Sequence, residues 1–495
     1  MQHYLLSIDQ GTTNSRAIIF DRAGNLVSQH EIALNQYFPN DGWVEQDPVE
    51  MFNNTVECCR EALNKKGLSP RSIAAIGISN QRETTIIWDR QSGVPVYPAI
   101  VWQDRRTSDL CRQLSQTRVA KIMYERTGLL LDPYFSATKI LWILNHVHGA
   151  REKAERGELL FGTVDTFLLW KLTNGRSHAT DATNAARTLL FNIHAQEWDE
   201  EILRELNIPR HMLPEVLDNT ADFGELDEKI LGMKIPITGM AGDQQAATIG
   251  QACFRPGMVK ATYGTGCFML LNTGSKVMQS TNKLLSTVAY RIDNQVAYGL
   301  EGSIFSAGVT IKWLRDTLKL ITTAAETETL ANNVSNTEGV YLVPAFTGLG
   351  APYWDPDARG ALLGLTRNSG REHIVRAALE NVGYQTRDLL DAMTADSGAG
   401  ISALRVDGGM VANNWLLQFL SDILDLEVHR PICIETTALG AAYLAGLQIG
   451  MYDSLEQIAE LWQMNACFSP QMSDSHRDRL YQGWKSAIDR VIHTK

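Results

Sequence analysis

A carboxylate, Asp9, closes the run YLLSID, and Gly11, Thr12, Thr13, Asn14, Ser15 and Arg16 follow before a second apolar run begins. Glycine lets backbone approach a ligand closely, and consecutive N–H groups with hydroxyls can converge on anionic oxygens. Asp9 would repel a bare phosphate, so the pattern suits phosphate only with a bridging cation such as Mg2+. The alternative is a surface hairpin whose polar turn is solvated. A second carboxylate, Asp243, stands with Gln244 in PITGMAGDQQAATIG, after an apolar strand and at the start of a small-residue helix. There it can take the proton of an acceptor alcohol during phosphoryl transfer, or serve as an N-cap.

Two further groups of residues carry chemistry. Arg82 and Glu83 in SNQRETTIIW are a donor and an acceptor at a strand end, which suits a small polyhydroxy substrate as well as it suits a surface ion pair. Trp102, Tyr134 and Phe268 can wall such a pocket or fill a core. In LRVDGGMVANNWLLQFL, Gly408 and Gly409 leave bare backbone for a flat ring and Asn413 can bond to it, or the stretch is a tight connection with an Asn cap. The triplets HRD at 476–478 and DFG at 222–224 stand in the wrong order for a protein kinase. No Gly-Lys dipeptide occurs, which excludes a Walker A loop, and there is no H-E-x-x-H.

These residues must be positioned by an α/β scaffold. YLLSID, RAIIFD, GNLVSQHEIAL, IAAIGIS and TTIIWD read as strands, and PVEMFNNTVECCREALNKKG reads as a helix with Pro48 in its first turn. Near the midpoint, GMVKATYGTGCFMLLNTG repeats a strand, Gly-Thr-Gly turn and strand, with Thr265 where Thr12 or Thr13 stands in the opening hairpin. The echo predicts two similar halves facing each other across a cleft. The helix expected over NSGREHIVRAALENVGYQTRDLLDAM starts with Ser369 and Glu372 at capping-box spacing. Leu416, Phe419, Leu420 and Ile423 share one face of the next helix, and TTALGAAYLAGLQIG suits close helix packing.

At 495 residues the chain is long enough for two cores, and its net charge of −11 speaks against nucleic acid or anionic membrane as partner. No apolar run is long enough to span a membrane, and MQHYLLSIDQ lacks the basic start of a signal peptide. Seven scattered cysteines without C-x-x-C fit a reducing, cytoplasmic setting.

The combination of IDQGTTNSR, NQRETT, VWQDRR, GDQQAA, YGTGCFML and ETTALGAAYLAG resembles the FGGY carbohydrate kinases, relatives of actin, hexokinase and the heat-shock chaperone ATPases. Both signatures of that family are present, YFSATKILWILNH at 134–146 and GALLGLTRNSGREHIVRAALE at 360–380. The resemblance implies two actin-like (ribonuclease H-like) domains, divided as 1–252 and 253–495, and phosphorylation of glycerol by ATP with Mg2+. It implies Asp243 as general base, sharing the metal environment with Asp9. Glycerol would be held by Arg82, Glu83, Tyr134, Asp243 and Gln244, with Trp102 and Phe268 on its carbon side. Thr12, Thr13, Asn14 and Arg16 would meet the nucleotide phosphates from the first domain. Thr265, Gly266 and Gly308 would meet them from the second, with Gly409 and Asn413 at the adenosine end. Family members are often dimers or tetramers, so a homo-oligomer is implied. Alternatives are a kinase of a pentulose or gluconate, or an actin-like or chaperone ATPase. Three positions depart from the family pattern: Asn14 for serine, Lys312 for glutamine near the nucleotide, and Lys234 for an arginine that binds an inhibitory sugar bisphosphate in some members. Lysine keeps the charge without the bidentate fork, so that regulation is not carried over.

Overall fold

The computed structural model describes residues 3–346, 348–355, 357–398 and 400–492. We number only the strands of its two large sheets and the helices that bear on the site. The first sheet contains β1 (Tyr4–Gln10), β2 (Asn14–Phe20), β3 (Leu26–Ala33), β4 (Ile73–Asn80) and β5 (Ile237–Gly242) in the order β3-β2-β1-β4-β5. Strand β2 is antiparallel to both β1 and β3, and β4 and β5 run parallel to β1.

The second sheet contains β6 (Val259–Tyr263), β7 (Cys267–Gly274), β8 (Leu285–Ile292), β9 (Gln295–Ile304), β10 (Ala403–Asp407), β11 (Glu427–Pro431) and β12 (Met464–Phe468). Its order is β8-β9-β7-β6-β10-β11-β12. Within it, β9-β7-β6-β10-β11 repeats the order and the parallel or antiparallel sense of the first sheet. The low-resolution echo in the sequence is therefore a repeated topology, and the two hairpins β1–β2 and β6–β7 occupy equivalent places in it.

Both faces of the first sheet are covered, so β1 and β2 are apolar at consecutive positions rather than alternate ones. Leu6, Ile8, Ala17 and Ile19 pack against α1 (Pro48–Asn64), which Asp47 caps through the N–H of Val49. Leu5, Ile18 and Phe20 pack on the opposite face against α3 (Asp243–Gly250) and α7 (Thr436–Gln448), while α2 (Ala182–Ala185) lies against β5 and β8. Helix α7 comes from the second half of the chain and crosses onto the first sheet. Small residues make this crossing close: a Cβ on Gly440 would lie 1.8 Å from the carbonyl of Ala246, and one on Gly77 2.1 Å from that of Ala441.

The second sheet packs on α5 (Arg371–Ser397) and α6 (Asn414–Leu424), which buries Leu416, Phe419, Leu420 and Ile423 as their spacing predicts. Helix α4 (Gly308–Asp316) leads off β9. The capping box expected at Ser369 and Glu372 does not form. The helix starts one residue later, and His373 Nδ1 accepts the Gly370 N–H at 3.0 Å. Imidazole at the third helical position does what the carboxylate was expected to do.

Candidate active site

The candidate residues collect at the carboxyl ends of the parallel strands, where open α/β sheets bind ligands. Asp9 is near the end of β1, Arg82 and Glu83 follow β4, and Asp243 follows β5. Gly264–Gly266 and Gly308 flank β7 and β9 in the second half, and Gly408–Asn413 follow β10.

Arg82 and Glu83 are adjacent yet both turn inward, because Glu83 sits at φ 61° just beyond the strand end. Both are buried, so the surface-ion-pair reading fails. Arg82 Nε forms an ion pair with Asp243 Oδ1 at 3.0 Å, while its two Nη groups pair with Glu301, Nη2 reaching Oε1 at 3.1 Å. Arg187 Nε donates to Glu83 Oε1 at 2.6 Å, and its Nη2 donates to Glu301 Oε1 at 2.8 Å. Lys260 donates to Gln244 Oε1, and to Thr262 Oγ1 at 3.0 Å. The aromatic residues enclose this network. The Trp102 ring lies 5.6 Å from Tyr134 and 6.0 Å from Phe268, and the Arg82 guanidinium lies 5.9 Å from the Phe268 ring.

Of these six charges only Asp243 keeps an open side, with 32% of its side chain accessible. Protein surrounds the rest of it, so burial pushes its carboxyl up while Arg82 and Lys260 pull it down, and the net direction is upward. Burial likewise raises Glu83 and lowers Lys260. For Glu301 burial is opposed by Arg187 and Arg82, and it ends below the ordinary carboxylate range. Asp243 is the first residue of α3 and Gly242 is the cap, so the N-cap reading of Asp243 does not hold. The turn is fixed from behind: the Gly242 N–H donates to Thr183 Oγ1 at 3.0 Å, and Asp181 holds Thr183 and Asn219.

At the first hairpin the Arg16 guanidinium joins Asp9 to Glu435, the residue before α7, with Nη1 2.6 Å from Glu435 Oε2. Arg16 thus spans the two halves of the chain. The Gly11 N–H is taken by the Asn14 carbonyl at 2.9 Å, and Asn14 Nδ2 donates to Glu31 at 3.2 Å. Thr13 is exposed, and Thr12 Oγ1 accepts the Trp102 indole N–H at 2.9 Å, which links this hairpin to the aromatic wall.

The second hairpin is tied to α4 by backbone alone. The Thr265 carbonyl accepts from Ala307 and Val309, and the Gly264 carbonyl accepts from Gly308, each at 3.0 Å. Gly266 packs on β9, where a Cβ would lie 2.5 Å from the Ile304 carbonyl. Beside the hairpin is a cavity of about 400 Å3 lined by Thr265, Gly308, Ile311, Lys312, Gly409 and Asn413, among others. Gly409 has open space where a Cβ would be. Asn413 is both cap and lining residue: Oδ1 accepts the Leu416 N–H at 2.9 Å and Nδ2 donates to Thr327 at 3.1 Å.

Arg187, Lys260, Glu301 and Glu435 escaped sequence reasoning. Three of them carry a signal, a lone charge inside an apolar run: NAARTLLF, MVKATY and YGLEGSIF. Such charges are almost never fully buried unless paired. Among the described residues, the one trio of potential metal ligands within 4.8 Å is Glu427, His429 and Cys467. It lies on β11 and β12, away from the strand ends that carry Asp9 and Asp243, and His429 is hydrogen-bonded to Glu427 at 2.8 Å. Asp9 and Asp243 offer the hard oxygen donors that suit Mg2+, which takes one or two carboxylates and completes its shell with phosphate and water.

Residues 4–250 match the N-terminal domain, and residues 259–449 the C-terminal domain, of the FGGY family of carbohydrate kinases. The chain is similar to a glycerol kinase of Coxiella burnetii (strain RSA 493 / Nine Mile phase I), 60% identical over 99% of this chain and 98% of that protein. It is equally similar, at 60% identity over 99% of both chains, to glycerol kinase 1 of Pseudomonas aeruginosa. The solved structure of Plasmodium falciparum glycerol kinase with ADP superposes with a TM-score of 0.92 at 38% identity, covering 100% of this chain and 99% of that one.

Proposed function

The chain belongs to the FGGY family of carbohydrate kinases, and from that premise we propose that it transfers the γ-phosphoryl group of ATP to glycerol, giving sn-glycerol 3-phosphate and ADP. The observation that carries this reading is the charge balance of the buried cluster. Arg82 and Arg187 are paired with Glu83, Glu301 and Asp243, and Lys260, bound to Gln244 and Thr262, is offset by Asp407 and Asp243, so each cation of the cluster is already matched by an anion. A neutral triol fits a balanced site, whereas a gluconate carboxylate finds no spare cation.

In this reading Arg82 donates to, and Glu83 accepts from, hydroxyls of glycerol, with Tyr134, Gln244, Trp102 and Phe268 completing the pocket. Asp243, the one open carboxylate, accepts the proton of the attacking hydroxyl, and its upward-shifted carboxyl is suited to that. Thr12, Thr13, Asn14 and Arg16 on one hairpin, and Thr265, Gly266 and Gly308 on the other, hold the phosphates between them. Gly409 and Asn413 meet the adenosine. Mg2+ held near Asp9 and Asp243 would supply charge neutralisation of the phosphates. Closure of the halves excludes water, which keeps ATP from hydrolysis. We place the protein in the cytoplasm: all seven cysteines are free, and no described helix is long and apolar enough to cross a membrane.

ADP release measured with glycerol, a pentulose, gluconate or no acceptor tests the proposal. Glycerol is expected to give turnover at least about 100-fold above the others, a preference of the size that buried polar contacts generate. Equal turnover with a pentulose or gluconate would overturn the substrate assignment. ATP turnover undiminished without acceptor would point to an actin-like or chaperone ATPase instead.

A further inference from the structure

Glu301 lies in the middle of β9, paired across the strands with Leu270 and Leu285, both fully buried. A single carboxylate among leucines gains nothing from its neighbours on the sheet. Among the described residues, the hydrogen bonds to its carboxylate all come from the other half of the chain: both Nη groups of Arg82 and Nη2 of Arg187. Arg187 in turn reaches Glu83, which lies 3.9 Å from Arg82, so among the described residues Glu301 is the carboxylate that accepts hydrogen bonds from both guanidinium groups that bound the acceptor pocket. Replacing a buried ion cluster by apolar groups is often neutral or stabilising, so such a cluster is weak evidence for a stability role. Its geometry is what it adds.

We infer that Glu301 is a positioning residue for the acceptor site, holding Arg82 and Arg187 where Arg82 and Glu83 can meet the acceptor hydroxyls. Arg82 is divided between two carboxylates. Its Nε reaches Asp243 and its Nη groups reach Glu301, while its distance to Glu83 is 3.9 Å. Remove the Glu301 charge and the guanidinium is drawn toward Asp243 and Glu83. Arg187 loses one of its two anchors at the same time. The donor meant for the acceptor is misplaced, and the carboxylate meant for its proton is occupied. Because Glu301 comes from the second sheet and the acceptor ligands come mainly from the first, the acceptor site is incomplete without both halves. This inference rests on the reading of Arg82 and Glu83 as acceptor ligands.

The test is steady-state kinetics of Glu301→Gln, Glu301→Asp and the double variant Arg187→Gln/Glu301→Gln, with glycerol and ATP varied in turn. Glu301→Gln is expected to raise the glycerol KM about 30-fold and lower kcat/KM for glycerol about 100-fold, the scale for breaking a buried charge pair. The ATP KM should stay within about threefold. Glu301→Asp, which keeps the charge but withdraws it, should fall between. The double variant should recover part of the loss, because it removes one cation along with the lost anion and so restores the charge balance of the cluster. Glycerol and ATP constants both within about threefold of the parent, or both rising equally, would overturn the inference. If Glu301→Gln does not fold, the double variant decides by the same split between the two KM values. If the parent itself does not turn over glycerol, it is the substrate reading that fails.

Discussion

The proposed acceptor pocket and the proposed nucleotide cavity open at equivalent strand ends but are built from opposite materials. Six charged side chains meet at the proposed acceptor pocket; five of them are sealed from solvent, four of these in ion pairs and Lys260 hydrogen-bonded to Gln244 and Thr262. The proposed nucleotide cavity has Ile311, Leu379, Met410 and Leu416 in its lining, its hairpin is held by backbone hydrogen bonds, and its charged residues Lys312, Arg315 and Glu328 are exposed or half-buried. The acceptor is small and neutral, so recognition must come from a few donors and acceptors held in fixed positions, and burial with mutual pairing fixes them. The nucleotide is large and highly charged, and many weak contacts can share it. One side is therefore brittle to single substitutions and the other tolerant.

The largest effect expected from that contrast is at Asp243. Asp243→Asn keeps the size of the side chain and removes the proton acceptor. Its kcat should fall about 1000-fold, within the range for loss of a general base. Both KM values should move by less than about fivefold, since the aromatic wall and the backbone hairpins remain. A kcat within tenfold of the parent would show that the brittle side is not where the chemistry is done.

Behind Asp243 lies a second pair of carboxylates, Asp165 and Asp181, both fully buried. Burial raises each from the ordinary carboxylate range, and the Asp165 charge raises Asp181 further. In the unfolded chain both lose their protons near pH 4, whereas the folded pair holds a proton to higher pH. The folded state then binds more protons than the unfolded one, so this contribution is full below about pH 4 and is lost as pH rises toward the raised folded value. Asp181→Asn removes one of the two charges and should flatten that dependence. The stability difference between parent and variant, measured by urea unfolding, should change in favour of the variant by about 1–2 kcal/mol between pH 5 and pH 8. A difference independent of pH would mean that the support under Gly242 and Asp243 does not hold a proton.

Much of this was legible in the sequence where function sits at the edge of an apolar run. Asp9 closes, and Arg82, Glu83 and Asp243 follow, a strand that its composition reveals, and the glycines of both hairpins mark where backbone must come close. What sequence alone does not reveal is who pairs with whom. Glu301 is 219 residues from Arg82 and 114 from Arg187, and only the docking of the two sheets makes them neighbours. Arg16 reads as a phosphate ligand from its loop, yet its partner Glu435 arrives with a helix that crosses from the second half. At Ser369 and Glu372 the spacing was right and the helix began one residue later. Local patterns settle elements, and pairing of remote charges needs the tertiary fold.

The tolerant side can be probed at Gly308, where the second hairpin meets α4. A Cβ there would lie 2.5 Å from the Gly264 carbonyl, the same carbonyl that accepts the Gly308 N–H. Neither group is a flexible side-chain end, so Gly308→Ala must push the hairpin away from the helix. Thr265 moves with it, since its carbonyl accepts from Ala307 and Val309. The ATP KM should rise about tenfold, equivalent to about 1.4 kcal/mol and within the range for overpacking a close contact. The glycerol KM should stay within about twofold, because Lys260 and Phe268, the acceptor residues on this hairpin, lie in its paired strands rather than in the turn itself. A rise in the glycerol KM of the same size would mean that the two sides are one coupled unit, and the division between a brittle and a tolerant half would not hold.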